Sequence, residues 1–183
     1  MGEHIFNLLS GREQFLTVNQ IHMHPSYVGN EDFDFCLLQV GTPITFNEYV
    51  QPVCMPLSCT DECPEEAEII TAGWGDRYGG TITVFTPLQK SKMPHVSRTT
   101  CATAYSAVGT TINDNMLCAG YISSGGIGIC NGDSGSAMIC YRNGYFQIDG
   151  VTALTEDCAS ARYPSVYGRV CKVLDWIDTT MNI

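Results

Sequence analysis

Apolar and polar residues alternate along this chain in short stretches. Residues 15–24 (FLTVNQIHMH) partly alternate, the pattern of a strand with one face buried. Residues 34–40 (DFCLLQV) form a short apolar run behind an acid, and 69–75 (IITAGWG) form another, ended by glycines. Residues 136–141 and 145–149 flank Arg142-Asn143-Gly144, and Asn-Gly between two such runs predicts a hairpin. Only the end has helical spacing: within residues 170–183, Val173, Leu174, Ile177 and Met181 fall on one side. Short strands separated by turns predict an all-β barrel or sandwich with one terminal helix. No repeat, linker or low-complexity tract interrupts the pattern.

The cysteines narrow the picture further. Ten of them, at positions 36, 54, 59, 63, 101, 118, 130, 140, 158 and 171, are spread along 183 residues. The closest pair, Cys59 and Cys63, has no histidine beside it, which argues against a metal site. Dispersed cysteines in a loop-rich chain predict disulfides and an oxidising, extracellular setting. Residues 1–4 (MGEH) have neither the basic start nor the apolar run of a secretory leader, so that reading expects the leader to lie outside this sequence. The balance is 9 Lys+Arg against 19 Asp+Glu, a net charge of −10, which disfavours nucleic acid and anionic membrane surfaces as partners. No apolar run approaches the roughly 20 residues of a membrane-spanning helix.

Candidate chemistry is concentrated in residues 130–136 (CNGDSGS). A serine between glycines presents its hydroxyl without crowding, and the amides of Gly132 and Ser134 together suit an oxyanion hole. The bland alternative is an Asp-Ser-Gly loop stapled by its neighbouring cysteine. Gly132-Asp-Ser-Gly135 stands in one chain with residues 34–40, 72–75 (AGWG), 116–120 (MLCAG), 164–167 (PSVY) and 174–177 (LDWI). Residues 2–4 (GEH), 24–27 (HPSY) and 51–56 (QPVCMP) complete the series. In these motifs, and in their order, the chain resembles the chymotrypsin-type serine endopeptidases.

The resemblance implies a double six-stranded β-barrel with a C-terminal α-helix. Residues 1–57 would be the remainder of an incomplete first barrel, and 58–183 the second barrel and helix. Ser134 matches the nucleophile, Gly132 and Ser134 the oxyanion amides, and Asp34 the buried acid that orients the catalytic histidine. Asp133 matches the carboxylate that pairs with a new N-terminal ammonium when a zymogen is cleaved. Gly128, Asn131, Ala153, Leu154, Thr155 and Ser165 match substrate-binding positions. Cys101–Cys118, Cys130–Cys158 and Cys59–Cys171 match family disulfides. Ile69 stands where the usual partner of Cys140 would be, which leaves Cys63 as a replacement. Cys54 matches a cysteine that pairs with a propeptide, and Cys36, mid-strand, is expected to be a buried free thiol.

The resemblance also exposes departures. The family's Thr-Ala-Ala-His-Cys segment is not in this sequence, and His4, His22, His24 and His95 all stand at other places in the motif order. Without that histidine the serine is not activated, a loss on the order of 10⁶ in kcat. The chain by itself is therefore expected to be inactive, with the histidine supplied by upstream sequence. Asp133 without an ammonium would be a buried, unpaired carboxylate, and its loop is expected to rearrange toward a zymogen-like form. Gly128, six residues before Ser134, is not an acid, so cleavage after Lys or Arg is not expected. Leu154 and Thr155 alter the substrate strand, Ala153 removes a hydroxyl that supports Asp34, and Ser165 narrows the pocket, implying a small or medium apolar residue before the scissile bond. Glu3 and Glu13 match two ligands of a family calcium loop, but Ile5 and Ser10 do not, so no metal or cofactor is expected. Polypeptide substrates or inhibitors are the expected partners of a monomer, disulfide-linked through Cys54 to any propeptide. The alternative is a catalytically inactive homologue that keeps the fold to bind a partner.

Overall fold

The computed structural model describes residues 1–29, 31–65, 67–77, 79 and 86–182. Val18–Met23 (β1) and Cys36–Val40 (β2) form a two-stranded antiparallel sheet, with Ile21 opposite Leu38 and Met23 opposite Cys36. The other six strands are Glu68–Gly73 (β3), Gln89–Val96 (β4), Met116–Ala119 (β5), Ala137–Arg142 (β6), Tyr145–Leu154 (β7) and Ser165–Arg169 (β8). They close into a barrel in the order β3-β4-β5-β8-β7-β6. The predicted Asn-Gly hairpin joins β6 to β7, with Arg142 opposite Tyr145 and Asn143 at a φ of 51°. A barrel, a second sheet and a C-terminal helix agree with the chymotrypsin-type architecture.

Inward side chains fill the barrel: Ile69, Met93, Leu117, Met138 and Tyr167 meet at its centre. The C-terminal helix is Leu174–Met181 (α2), preceded by the 3₁₀ turn Val170–Lys172. Ile183, the last residue of the predicted helical stretch, lies outside the described residues.

One expectation about the elements needs correction. The end is not the only helix: Arg98–Ser106 (α1) crosses the barrel's flank. Its sequence, RTTCATAYS, is rich in residues that lose rotamer freedom in a helix, so propensity does not signal it. Tertiary contacts supply the reason. Ser97 caps it by accepting from the Thr100 N–H, Cys101 is bonded to Cys118 on β5, and Tyr105 is fully buried among Val96, Ile112 and Val166. Strand β4 was hidden for a related reason, since QKSKMPHV is polar and carries Pro94 near its end.

Cys36 is exposed, not buried. It shares one face of β2 with Leu38, across from Met23 and Ile21 on β1, and these are 54%, 67% and 61% exposed. No layer covers this face among the described residues. The other face of the sheet meets the barrel, where Phe35 packs so closely on Gly168 that a Cβ there would collide with its ring.

Candidate active site

The turn carrying Ser134 is held from four directions. Within it, the Asp133 N–H donates to the Cys130 carbonyl at 3.0 Å and the Ser136 N–H to the Asp133 carbonyl at 3.0 Å. Toward β7, Gly135 donates to Thr152 and Thr152 donates back to Ser136, at 3.0 and 2.8 Å. Toward the end of β3, the Asp76 N–H donates to the Asn131 carbonyl at 2.9 Å. A disulfide ties Cys130 to Cys158. Gly132 and Gly135 have φ of 97° and 82°, in the region that favours glycine. Among the described residues no acceptor engages the N–H of Gly132 or of Ser134. The Ser134 hydroxyl is likewise unengaged and exposed.

Asp133 is not the unpaired carboxylate that was expected. Oδ1 accepts from the Gly75 N–H at 2.9 Å and Oδ2 from the Cys130 N–H at 3.0 Å, and the residue is half-buried. Two backbone donors stabilise the charge and keep the turn in shape without an ammonium. Gly73 and Gly75 are the seat: a Cβ at either would overlap the Asp133 carboxylate. Sequence reasoning used Ala72-Gly-Trp-Gly75 as a family signature and missed this steric role.

Asp34 also departs from expectation. It is exposed, and no described side chain hydrogen-bonds its carboxylate. It precedes β2 on the side of the sheet that lacks a covering layer. Partial desolvation, followed by repulsion from Glu31, still raises its pKa above the ordinary carboxylate range. No hydrogen bond joins Asp34 to Ser134, or either of them to a described histidine. His4 instead offers its carbonyl to Trp74 Nε1 at 3.3 Å and to the Leu88 N–H at 2.7 Å. His95 Nδ1 meets the Pro64 carbonyl at 3.2 Å, and His24 is buried against Phe33 and Trp176.

The substrate-binding candidates divide into two groups. Gly128 and Ser165 meet: a Cβ on Gly128 would stand 3.2 Å from Ser165 Oγ and 2.8 Å from Ala159 Cα. Ser165 is buried, its Oγ accepting from the Ile129 N–H at 3.1 Å. Gly128 and Asp133 both line a cavity of about 360 Å³ together with Gly73, Gly75, Cys158 and Ala159. In the second group, Ala153 and Leu154 end β7, and Leu154 turns onto the cluster around Tyr105. Thr155 Oγ1 donates to the Asp157 carbonyl at 2.8 Å, which engages it in its own turn. Tyr105, which sequence reasoning missed because its helix was hidden, donates to the Pro164 carbonyl at 2.8 Å. Burial pushes its pKa up to about 12.

A family model described as Trypsin matches residues 1–177. The chain belongs to the trypsin family. Trypsin-2 of Salmo salar is 36% identical over 182 residues, covering 99% of this trypsin-family chain and 74% of that protein. Trypsin of Sus scrofa is 34% identical over 182 residues, again 99% of this chain and 74% of the other. Ovochymase of Halocynthia roretzi is 35% identical over 175 residues, 93% of this chain but 11% of that protein.

The trypsin-family chain holds four disulfides. Cys59–Cys171, Cys101–Cys118 and Cys130–Cys158 are the pairs implied by the resemblance, and Cys63–Cys140 is the replacement pair. Cys59 and Cys171 lie close to Glu62, and Cys63 and Cys140 to Asp149, but in both clusters the sulfurs are bonded to each other. In the loop after Gly2-Glu-His4, the Glu13 carboxylate accepts from the Ser10 hydroxyl and from the N–H groups of Ser10, Gly11 and Arg12. The Ser10 contacts lead in lowering its pKa to about 2. No described helix is long and apolar enough to cross a membrane.

Proposed function

We propose that this chain is the larger part of a secreted serine endopeptidase, with Ser134 as nucleophile and Asp34 as the acid that orients a histidine from outside this sequence. The observation that carries the reading is the turn at Ser134. An exposed, unengaged hydroxyl stands beside two free backbone N–H groups, in a chain of the trypsin family. In the reaction, Ser134 Oγ attacks the scissile carbonyl carbon while the histidine accepts the hydroxyl proton. The N–H groups of Gly132 and Ser134 receive the charge that develops on the carbonyl oxygen. Collapse of that intermediate breaks the C–N bond, and the histidine passes its proton to the leaving amine. Water then repeats the attack on the acyl-enzyme and frees Ser134.

Specificity follows from the pocket floor. Gly128 provides no carboxylate for a cationic side chain, and the Ser165 hydroxyl beside it takes up space. The pocket therefore suits a small or medium apolar residue before the scissile bond. Activation by cleavage of a zymogen and a propeptide bonded through Cys54 belong to the same reading. Cys54 is exposed and unbonded here, with its backbone fastened to β7 through Phe146 and Ile148.

The test is Ser134→Ala in the complete natural protein. Hydrolysis of peptides with an apolar residue before the scissile bond should fall by about 10⁶, with the melting temperature unchanged. Unchanged turnover would sink the assignment. A complete protein that cleaves no peptide would point to the second reading, a fold retained for binding, which the altered strand end at Ala153-Leu154-Thr155 favours.

A further inference from the structure

Asp34 has no hydrogen-bond partner among the described side chains and no covering layer, yet the segment around it is firmly held. The fastening is one residue pair away. Asp32 Oδ2 accepts from Asn113 Nδ2 at 2.9 Å, and Asp32 Oδ1 accepts from Asn115 Nδ2 at 2.9 Å. Both asparagines belong to the barrel side of the molecule. Asn115 leads into β5 and is itself pinned, its N–H on Asn113 Oδ1 and its carbonyl accepting from the Arg169 N–H, each at 2.8 Å.

Asp32 Oδ1 also accepts from the Phe33 N–H at 3.1 Å. Phe33 has a φ of 51°, a conformation that costs about 1 kcal/mol or more for a residue of its kind. That strained turn sends the rings of Phe33 and Phe35 into two different contacts. Phe33 stacks on His24 with ring centres 4.7 Å apart, and Phe35 seats on Gly168. Asp34 lies between them, so its place relative to the Ser134 turn is set by how residues 32–35 dock on the barrel.

We propose that Asp32 is a positioning residue for the catalytic acid, its carboxylate clamping the Asp34 segment to the barrel through Asn113 and Asn115. A carboxylate suits the task because it offers two acceptor oxygens, one to each amide, and still accepts from the Phe33 N–H. An amide in its place would accept at one atom only. The proposal rests on the peptidase reading, since it assigns Asp34 the acid's role. Displacement of a catalytic group by as little as 1 Å is costly in kcat, whereas Asp32, Asn113 and Asn115 do not line the cavity at Gly128.

The experiment uses the complete natural protein, with competent sites counted by a serine-directed fluorophosphonate. Asp32→Ala should lower kcat per competent site about tenfold, with KM within about twofold. The pair Asn113→Ala and Asn115→Ala should reproduce that loss. Asp32→Asn combined with Asn113→Asp rebuilds one donor–acceptor pair with the roles exchanged and should recover most of the rate. Unchanged kcat per site in Asp32→Ala, or a loss that the exchange does not recover, overturns the proposal. If the parent protein hydrolyses nothing, the peptidase reading fails instead, and the clamp is judged by a carbon NMR titration of Asp34. In the Asn113→Ala, Asn115→Ala variant its midpoint should move down from the parent's value as the segment lifts into water and its desolvation is relieved. A midpoint that stays raised overturns the clamp.

Discussion

At the scale of single residues, the Ser134 turn depends on what is absent from side chains. Gly73, Gly75 and Gly132 leave room for the Asp133 carboxylate and for the turn's own backbone. A Cβ at Gly132 would stand 3.2 Å from Gly75 Cα, at a φ of 97°. Gly132→Ala should therefore shift the N–H it contributes. In the complete protein, kcat should fall about 10²-fold. The fold itself should lose only about 1–2 kcal/mol. Steady-state kinetics alongside a denaturant melt separate the two effects; a full kcat in the alanine variant would remove Gly132 from the oxyanion role. Asp133 illustrates why charge alone was a poor guide. From sequence it was a carboxylate without a cation, but the Cys130 N–H of its own turn and the Gly75 N–H beyond β3 solvate it.

At the scale of elements, the two-stranded sheet is joined to the rest of the chain by aromatic contacts. His24, at the end of β1, is 8% exposed and lies between Phe33 and Trp176 of α2. Its Nδ1 accepts from the Ser26 N–H at 3.2 Å, so the neutral ring is the form that fits. Burial lowers its pKa. The folded state thus holds fewer protons here than the unfolded chain. Its contribution to stability is complete above the unfolded value of about 6.5 and is lost as pH falls through the lower folded value. Unfolding free energy measured across that range should decline toward acid, and His24→Phe should flatten the decline; the same slope in both proteins would refute the assignment. Strand-forming runs with turn residues around them were legible as elements, which is how β1, β2, β3, β6 and β7 were found. Helix α1 and strand β4 were not, because a cap, a disulfide and burial hold residues whose local preferences lie elsewhere.

At the scale of the whole molecule, eight cysteines are spent in fastening the barrel, and two are left at the surface. Alkylation of this chain under native, non-reducing conditions should add two groups, on Cys36 and Cys54, and reach the other eight only after reduction and unfolding. Protection of Cys36 in the native chain would mean that something covers the apolar face it shares with Met23, Ile21 and Leu38. An uncovered face of that kind is an aggregation hazard, and solutions of this chain should show it at raised concentration. By itself the amino-acid order determined the family, the all-β class and the turn at Ser134, since these rest on local spacing and on motifs read in sequence, and the family resemblance carried most of the cysteine pairing. The tertiary structure alone decided what surrounds each group. Whether Asp34 is covered, what neutralises Asp133, where Leu154 points and which asparagines hold Asp32 depend on residues tens of positions apart meeting in space. Burial and hydrogen bonding are properties of those meetings, and no run of residues carries them.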